Sequence, residues 1–196
     1  KICICFNSST DNYLVGLLTM YFSLILTKPK YNFFCLVTPN IKKETIKILN
    51  HLGITTKKVK PISNPYNNDK NNRKFYNYSK LNMFSLIKYK KLVYLDADMI
   101  IMHNIDELFD KPHLSAVNSG GQLPDKKTWD KLNSGLMVIE PSKSLFNDMI
   151  KKVGKIEKEK GKGDQSFLHQ YYENWPKEKK LHLDHVYNIF QIGRAH

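Results

Sequence analysis

Arginine is nearly absent from this chain. Of its 196 residues only Arg73 and Arg194 are arginines, although Lys and Arg together number 31 against 18 Asp and Glu and the net charge is +13. Such a charge attracts polyanions, but proteins that bind phosphates and base edges rely on the arginine fork. The lysines are also spread along the whole chain. We therefore expect no dedicated nucleic-acid partner.

Cysteine and long apolar runs are scarce as well. The three cysteines, Cys3, Cys5 and Cys35, lie in apolar segments, which favours buried reduced thiols over a disulfide framework or a zinc site. No run approaches the roughly 18 apolar residues that a membrane span needs, so we predict no transmembrane segment. Because the chain starts at Lys1 without Met, a removed leader stays open. We expect a cytoplasmic protein, with the secretory lumen as the alternative.

The glycine fingerprint of dinucleotide-binding proteins, Gly-x-Gly-x-x-Gly, is also missing. An apolar strand over residues 2–6, a polar turn over 7–11 and a helix over 13–26 nevertheless form the first unit of a nucleotide-binding α/β fold. Asn and Ser side chains before a helix can bind a uracil, a ribose or a phosphate. Capping by Thr10 or Asp11 explains the same residue types equally well.

Along the rest of the chain, segments with the apolar pattern of a strand alternate with segments whose apolar residues repeat at helical spacing. Apolar runs predict strands at residues 33–38, 55–60, 92–95 and 114–118 and, after a polar turn, at 136–140; helical spacing predicts helices at 41–52, 79–89, 142–156 and 166–172. The segments 64–77 and 119–130 have no periodicity, and we expect a loop and a flexible flap there. This order predicts a single α/β domain, 1–196, with right-handed parallel crossovers.

The strand at residues 92–95 delivers two carboxylates, Asp96 and Asp98. Both rows of its side chains are apolar, which is typical of a parallel strand buried on both faces. Ligands bind at the carboxyl ends of such strands, and two carboxylates separated by one small residue can share a hard divalent cation. The alternative is that Asp96 ends the strand and Asp98 opens a turn.

Three further positions carry candidate chemistry. Lys80 lies in the first turn of a predicted helix, where a bound phosphate would offset its charge; a solvated surface lysine is the alternative. Asn133 and Ser134 precede a glycine at the start of a predicted strand. Their side chains could hydrogen-bond sugar hydroxyls, or the residues form a plain turn. Asp164 is an active-site carboxylate if its loop folds back toward the Asp pair, and otherwise the N-cap of a helix.

These motifs, in this order, resemble glycosyltransferase family 8, the glycogenin-like glycosyltransferases. The resemblance rests on Leu95-Asp96-Ala97-Asp98, Asn104-Ile105-Asp106-Glu107-Leu108-Phe109, Leu132-Asn133-Ser134-Gly135, Gly163-Asp164-Gln165 and Tyr187-Asn188. It implies a GT-A fold, a Rossmann-like nucleotide-diphospho-sugar transferase fold with a mixed, mostly parallel central sheet flanked by helices. It also implies a UDP-sugar donor, a manganese ion, with magnesium as the alternative, and transfer with retention of anomeric configuration.

The resemblance also implies a role for each matching residue. Asp96 and Asp98 hold the metal; Asp164 and Gln165 are catalytic and flank the reacting centre. The remaining donor contacts are Asn7, Ser8 and Tyr13 around the uridine, Lys80 at the diphosphate, Asp96 and the Ala97 backbone near the ribose, and Asn133 and Ser134 at the donor sugar.

Two departures from the family pattern affect the predicted activity. The histidine that usually supplies a third metal ligand beyond the Tyr-Asn pair has no counterpart at that spacing before His196, and an acidic residue common before the Asp-Gln pair is replaced in the region of Gly161 and Lys162. We therefore expect a C-terminally truncated domain.

We predict a metal-dependent retaining glycosyltransferase that transfers a hexose from a UDP-glucose-like donor to an unknown acceptor, whether glycan, protein or lipid. The alternatives are a catalytically impaired basic binding protein with the same fold and a metal-dependent nucleotidyl or phosphoryl transferase. The oligomeric state stays open.

Overall fold

One mixed sheet organises the protein. The computed structural model describes residues 2–8, 11–69, 75–120, 129–156 and 163–189. The strands are β1 (Ile2–Ser8), β2 (Phe33–Val37), β3 (Thr55–Lys58), β4 (Lys91–Leu95), β5 (Ala116–Asn118) and β6 (Leu132–Ile139). They lie side by side in the order β3-β2-β1-β4-β6-β5. The strands β1 to β4 pair in parallel, whereas β6 is antiparallel to both β4 and β5. This confirms the predicted mixed, mostly parallel sheet.

Helices flank the sheet. The α-helices are α1 (Leu14–Leu26), α2 (Lys43–His51), α3 (Lys143–Lys152) and α4 (Asp164–Tyr171). Short 3₁₀ helices span Asp11–Tyr13, Asn77–Ser85, Asp106–Asp110, Trp175–Lys177, Lys179–Leu181 and His185–Tyr187. The division of the chain into a single domain stays a prediction.

The side chains of β4 divide the core into two clusters. Val93 and Leu95 pack in one cluster with residues of α1 and α2, and Leu92 and Tyr94 pack in the other with residues of the 77–85 helix, α3 and α4. None of the four is more than 1% exposed. The prediction of a strand buried on both faces is therefore confirmed, and the carboxyl end of β4 emerges between two helical layers.

The helix predicted over residues 79–89 is different in type and bounds. It is a 3₁₀ helix, Asn77–Ser85. Polar side chains bind the backbone here: Asn82 Nδ2 donates to the Lys60 and Ser79 carbonyls at 2.9 Å each, and Ser79 Oγ accepts from the Ile62 amide at 3.0 Å. Such bonds compete with regular helix formation. In a 3₁₀ helix residues three apart share one face, which places Asn77 and Lys80 side by side.

Two predicted polar turns are strand instead. β1 continues through Asn7 and Ser8, which pair with Leu36 and Val37 of β2, and β6 already begins at Leu132, so Asn133 and Ser134 lie inside it. Strand pairing here overrides the turn preference of Asn and Ser. These four residues therefore belong to sheet strands, and backbone pairing places them there.

Asp11 caps a helix other than the predicted one. Its Oδ1 accepts from Thr45 Oγ1 at 2.6 Å and from the Lys42 amide at 3.3 Å, at the beginning of α2. The helix α1 begins after Tyr13 without a side-chain cap. Thr10, the other predicted cap, lies outside the described residues. The Asp11 side chain thus joins the start of α1 to the start of α2.

Several other predictions concern exposure. Cys35 is a buried cysteine in the reduced state, as expected; the side chains of Cys3 and Cys5, and most of the predicted flap, lie outside the described part of the chain. The outer face of α1 is apolar and open, with Val15 76% and Leu26 82% exposed. Among the described helices, none combines the length and apolar character required to cross a bilayer.

Candidate active site

The end of β4 is tied to the start of β6. The Asp96 amide donates to the Gly135 carbonyl at 2.7 Å, directly after the last residue of β4. The Tyr94 hydroxyl, from the same strand, donates to Asp96 Oδ1 at 2.9 Å. Because Tyr94 is buried in the core, its hydroxyl is a fixed support for the carboxylate. Asp96 therefore has one oxygen held by the protein and a backbone held by the sheet.

A buried lysine joins Asp96 to Asp164. Lys80 Nζ lies 3.0 Å from Asp96 Oδ1 and 3.0 Å from Asp164 Oδ2, and its side chain is only 9% exposed. The ammonium also lies 5.1 Å from the centre of the Tyr94 ring. The start of α4 thus lies close to Asp96, as the active-site interpretation of Asp164 requires. Two carboxylates offset the charge of Lys80, whereas the sequence suggested that a phosphate would.

The electrostatics of this group favour a charged lysine. Burial by itself would lower the pKa of Lys80, but the carboxylates of Asp164 and Asp96 outweigh burial and raise the pKa above its ordinary value. Partial burial raises the pKa of the Asp96 carboxyl, against the lowering effects of Lys80 and Tyr94. An additional cation beside Asp96 would favour its ionised form.

Ser134 connects β6 to α4 and to Lys80. Its amide donates to Gln165 Oε1 at 3.0 Å, and its hydroxyl lies 3.3 Å from the same oxygen. Lys80 Nζ donates to the Ser134 carbonyl at 3.2 Å and to its hydroxyl at 3.1 Å. The predicted residues Lys80, Ser134, Asp164 and Gln165 therefore form one hydrogen-bonded group with Asp96.

Asn133 and Asn188 approach this group across Gly135. Asn133 Oδ1 accepts from the Gly135 amide at 2.7 Å. A Cβ added at Gly135 would lie 3.0 Å from Asn133 Oδ1, 3.2 Å from Asn188 Nδ2 and 3.5 Å from Asp96 Oδ2. A side chain at position 135 would therefore crowd the Asn133 and Asn188 amides and touch Asp96 Oδ2, which is why this position suits glycine.

The turn after Asp96 packs closely against α1. A Cβ added at Gly16 would lie 2.9 Å from the Ala97 carbonyl oxygen and 3.8 Å from Asp98 Cα, so only glycine allows the helix to approach this closely. Ala97 is buried, and Asp98 is exposed beside it. The two carboxylates of the pair thus differ: Asp96 is engaged by the protein, and Asp98 faces solvent.

The predicted uridine residues are only partly described. Phe6 of β1 pairs with Leu95 of β4, so Asn7 and Ser8 follow at the edge of the sheet where Asp96 follows Leu95. Their side chains lie outside the described part of the structure. Tyr13 is half-buried, ends the 3₁₀ helix before α1 and packs against the first core cluster. Their uridine-binding roles stay predictions.

The carboxylates present suit a hard divalent cation. Asp96 Oδ2 and the exposed Asp98 carboxylate are oxygen ligands, and magnesium-type sites commonly combine one or two carboxylates with substrate phosphates. Among the described residues there is no group of three or more His, Cys, Asp or Glu side chains placed to hold a metal. A bound diphosphate or water would supply further oxygen ligands to a cation at this site.

Sequence reasoning missed three residues of the site: Asn77, Tyr94 and Asn188. Asn77 Nδ2 donates to Asp164 Oδ1 at 2.9 Å. Its position three residues before Lys80 would have indicated a shared face only if the helix had been predicted as 3₁₀. Tyr94 follows the period of the strand, two residues before Asp96. Asn188 was noted as part of a motif, but nothing in the sequence indicated that its side chain lies near Gly135.

The fold and the site together define a class of protein. The structure is similar to an active-site mutant of LgtC, with a TM-score of 0.63 at 19% identity over 87% of this chain and 70% of that one. It is similar to GlyE of Streptococcus pneumoniae, with a TM-score of 0.63 at 17% identity over 95% of this chain and 46% of that one. The chain thus has the GT-A glycosyltransferase fold.

The family follows from the sequence. Residues 3–195 match the family model described as glycosyl transferase family 8, and the chain belongs to that family, as the motifs predicted. It is 36% identical over 167 residues to inositol phosphorylceramide glucuronosyltransferase 1 of Arabidopsis thaliana, covering 85% of this chain and 29% of the relative. It is 28% identical to galactinol synthase 2 of the same plant, covering 95% of this chain and 63% of the relative. The chain therefore spans only part of the length of these relatives.

Proposed function

We propose that this chain forms the donor-binding and catalytic part of a metal-dependent hexosyltransferase that uses a UDP-sugar and retains the anomeric configuration. The observation that carries the proposal is the convergence of Lys80, Asp96 and Asp164 at the carboxyl end of β4. The family and the fold supply the reaction class, and this group supplies the charges that the reaction needs. The glucose-like identity of the donor is part of the proposal.

Lys80 and the Asp pair act on the leaving group in this proposal. Transfer breaks the bond between the anomeric carbon and the diphosphate oxygen, so negative charge develops on UDP. A buried ammonium is an effective stabiliser of that charge, because it is fixed in place and shielded from water. A divalent ion held by Asp96 and Asp98 would supply further positive charge to the diphosphate, and oxygen ligands of this kind suit manganese or magnesium.

The other residues orient the donor and the reacting centre. Asp164 and Gln165 are the first two residues of α4. Asp164 contacts Lys80, and Gln165 contacts Ser134. We assign Asp164 and Gln165 to the region around the anomeric carbon and Asn133 and Ser134 to the donor sugar. Asn7, Ser8, Tyr13 and the Ala97 backbone are assigned to the uridine.

The names of the relatives bear on donor and acceptor. Several Arabidopsis thaliana relatives are named as UDP-glucuronate:xylan alpha-glucuronosyltransferases, and one acts, by its name, on inositol phosphorylceramide. A solved LgtC structure holds donor and acceptor sugar analogues. These names support a UDP-sugar donor and an acceptor that is a glycan or a lipid. The names do not decide between glucose and glucuronate as the donor sugar. The cellular compartment stays a prediction.

Calorimetric titration with UDP tests the donor site. We expect UDP binding that strengthens at least tenfold when manganese is added, and loss of that gain in Asp98→Asn. Asp110→Asn is the matched control, because Asp110 is an exposed aspartate at the end of the 106–110 helix. Equal UDP affinity with and without manganese would contradict the metal part of the proposal, and no UDP binding at all would contradict the donor site.

Donor hydrolysis tests turnover and the choice of sugar. We expect slow release of UDP from at least one of UDP-glucose, UDP-galactose and UDP-glucuronate, because water can replace an absent acceptor. A catalytically impaired binding protein would bind UDP without releasing it from any donor, and a nucleotidyl transferase would release pyrophosphate from a nucleoside triphosphate. Family membership does not favour either alternative.

A further inference from the structure

Asp164 is held by two residues of one helix. Asn77 Nδ2 donates to Asp164 Oδ1 at 2.9 Å, and Lys80 Nζ lies 3.0 Å from Asp164 Oδ2. Both side chains come from the 3₁₀ helix Asn77–Ser85, in which residues three apart share one face. Each carboxylate oxygen therefore has its own fixed partner, and the plane of the carboxylate is set by two contacts.

The same helix also holds the residue before Asp164. The Tyr78 hydroxyl donates to the Gly163 carbonyl at 3.4 Å, and a Cβ added at Gly163 would lie 3.8 Å from Asn77 Nδ2. Gly163 is the N-cap of α4 and has an extended backbone. The start of α4 thus rests on the start of the 77–85 helix, and Asn77 lies at that contact.

Asn77 keeps this contact at an energetic cost. Its Oδ1 is buried and has no hydrogen-bond partner among the described residues, and a buried unsatisfied acceptor is unfavourable. Turning the amide over would place that oxygen against the Asp164 carboxylate, where two acceptors repel each other. Asp164 therefore determines the orientation of the Asn77 amide.

We infer that Asn77 is a positioning residue of the transfer reaction, one that fixes the orientation of the Asp164 carboxylate toward the reacting centre. It acts through Asp164 and touches no reacting atom. The inference rests on the proposed function for its catalytic consequence, whereas its geometric part concerns only Asn77 and Asp164. An isosteric apolar side chain at position 77 would remove the unsatisfied acceptor and the support of Asp164 at the same time.

Asn77→Leu therefore separates positioning from stability. We expect a 10- to 100-fold lower kcat, since small misplacements of catalytic groups have effects of about that size, with the donor KM changed less than about threefold because substrate contacts are retained. The urea midpoint of unfolding is expected to change little, because the lost hydrogen bond to Asp164 and the removed unsatisfied acceptor act in opposite directions. Asn77→Asp, which places a like charge beside Asp164, is expected to lower kcat further than Asn77→Leu.

Asn82→Leu is the matched control on the same helix. Asn82 is buried, and both hydrogen bonds of its Nδ2 go to backbone carbonyls. Its replacement should lower the urea midpoint and leave the kcat of the folded enzyme within about twofold, the reverse of Asn77→Leu. Ser85→Ala, at the end of the helix, serves as the control if Asn82→Leu does not fold. An unchanged kcat in Asn77→Leu, or a loss of kcat only in proportion to lost stability, would overturn the inference.

Crystal structures of the Asn77→Leu protein and the unchanged protein keep this test independent of turnover. We expect the Asp164 carboxylate to rotate away from its position beside Lys80 or to occupy two rotamers in the variant. An unmoved carboxylate overturns the inference. If the unchanged protein neither binds UDP nor releases it from any UDP-sugar, the proposed function fails, and the position of Asp164 in the variant still decides whether Asn77 holds it.

Discussion

The Lys80 ammonium lies 3.0 Å from the Asp96 carboxylate, and only 9% of the lysine side chain is exposed. The same nitrogen meets Asp164 at 3.0 Å, so one buried cation lies between two carboxylates from different parts of the chain. Burial of a charge is unfavourable unless it is paired. The position of this lysine therefore connects the stability of the fold to the chemistry of the site.

Lys80→Met should destabilise the protein and abolish turnover. Removing one partner of a buried ion pair costs about 3–5 kcal/mol, because the remaining charge is left unpaired. We expect a loss of at least about 2 kcal/mol in the free energy of unfolding measured with urea, since Asp96 is partly exposed and water can compensate in part. Lys180→Met, at an exposed lysine near Glu178, is the control and should change stability very little. Equal stabilities of the two variants would contradict the buried pairing.

Gly16→Ala should weaken metal-dependent UDP binding. The new Cβ would lie 2.9 Å from the Ala97 carbonyl oxygen, so the turn carrying Asp98 must move away from α1. Alanine favours a helix interior over glycine by about 1 kcal/mol, which partly offsets the clash in overall stability. We expect at least fivefold weaker UDP binding in manganese, measured by calorimetry. Thr19→Ala, on the exposed face of the same helix, should leave the affinity unchanged.

Gly135→Ala should reduce turnover more than it reduces stability. The added Cβ meets the ends of three flexible side chains, Asn133, Asn188 and Asp96, at 3.0 to 3.5 Å, so the fold can adapt by displacing them. Those displacements disturb the side chains assigned to the donor sugar. We expect kcat for donor hydrolysis to fall about tenfold or more while the urea midpoint changes little. A normal kcat would show that Asn133 does not orient the donor.

His113 should make the protein less stable as the pH falls below neutrality. Burial lowers the pKa of His113 from its ordinary value, against the raising effect of Glu140, and His113 Nδ1 accepts from the Glu140 amide at 2.9 Å. Below about pH 6.5 the unfolded chain takes up the proton before the folded protein does. The contribution of neutral His113 is therefore complete above that pH and is lost as the pH falls through the lower folded-state pKa.

Urea unfolding between pH 8 and pH 5 measures this effect. His113→Asn keeps an oxygen that can accept from the Glu140 amide and does not titrate, so its stability should fall less steeply with acid than that of the unchanged protein. His169, whose pKa burial also lowers, contributes a loss of the same sign to both proteins. Identical slopes in the unchanged protein and in His113→Asn would contradict the assignment to His113.

The sheet was largely predictable from sequence because its strands have strong apolar patterns. The buried strand β4 and the parallel crossovers follow from runs such as residues 92–95, whose burial is decided by composition alone. The bounds of β1 and β6 were less predictable, because Asn7, Ser8, Asn133 and Ser134 favour turns locally. Pairing with neighbouring strands, which a single sequence does not display, places them in the sheet.

The sequence offered candidate residues for the site, and it did not show how they connect. Asp96, Asp164 and Lys80 were recognised as candidates, but a sequence pattern does not reveal that one ammonium lies between two carboxylates. The 77–85 segment has helical spacing, and only the hydrogen bonds of Ser79 and Asn82 to the chain around residues 60–62 indicate why it is 3₁₀. The role of Asn77 depends on that difference of helix type.

The antiparallel direction of β6 has a consequence for how the specificity of such a protein can change. The chain leaves the site after Asp96 and returns to it at Asn133. The Asp96 amide donates to the Gly135 carbonyl and joins the two ends. Between these two points the chain forms the 106–110 helix and β5, which pairs with β6. Exposed positions in that stretch, such as Met102 and His103, can therefore be exchanged, by evolution or by design, while the charged group at the anchor points keeps its geometry.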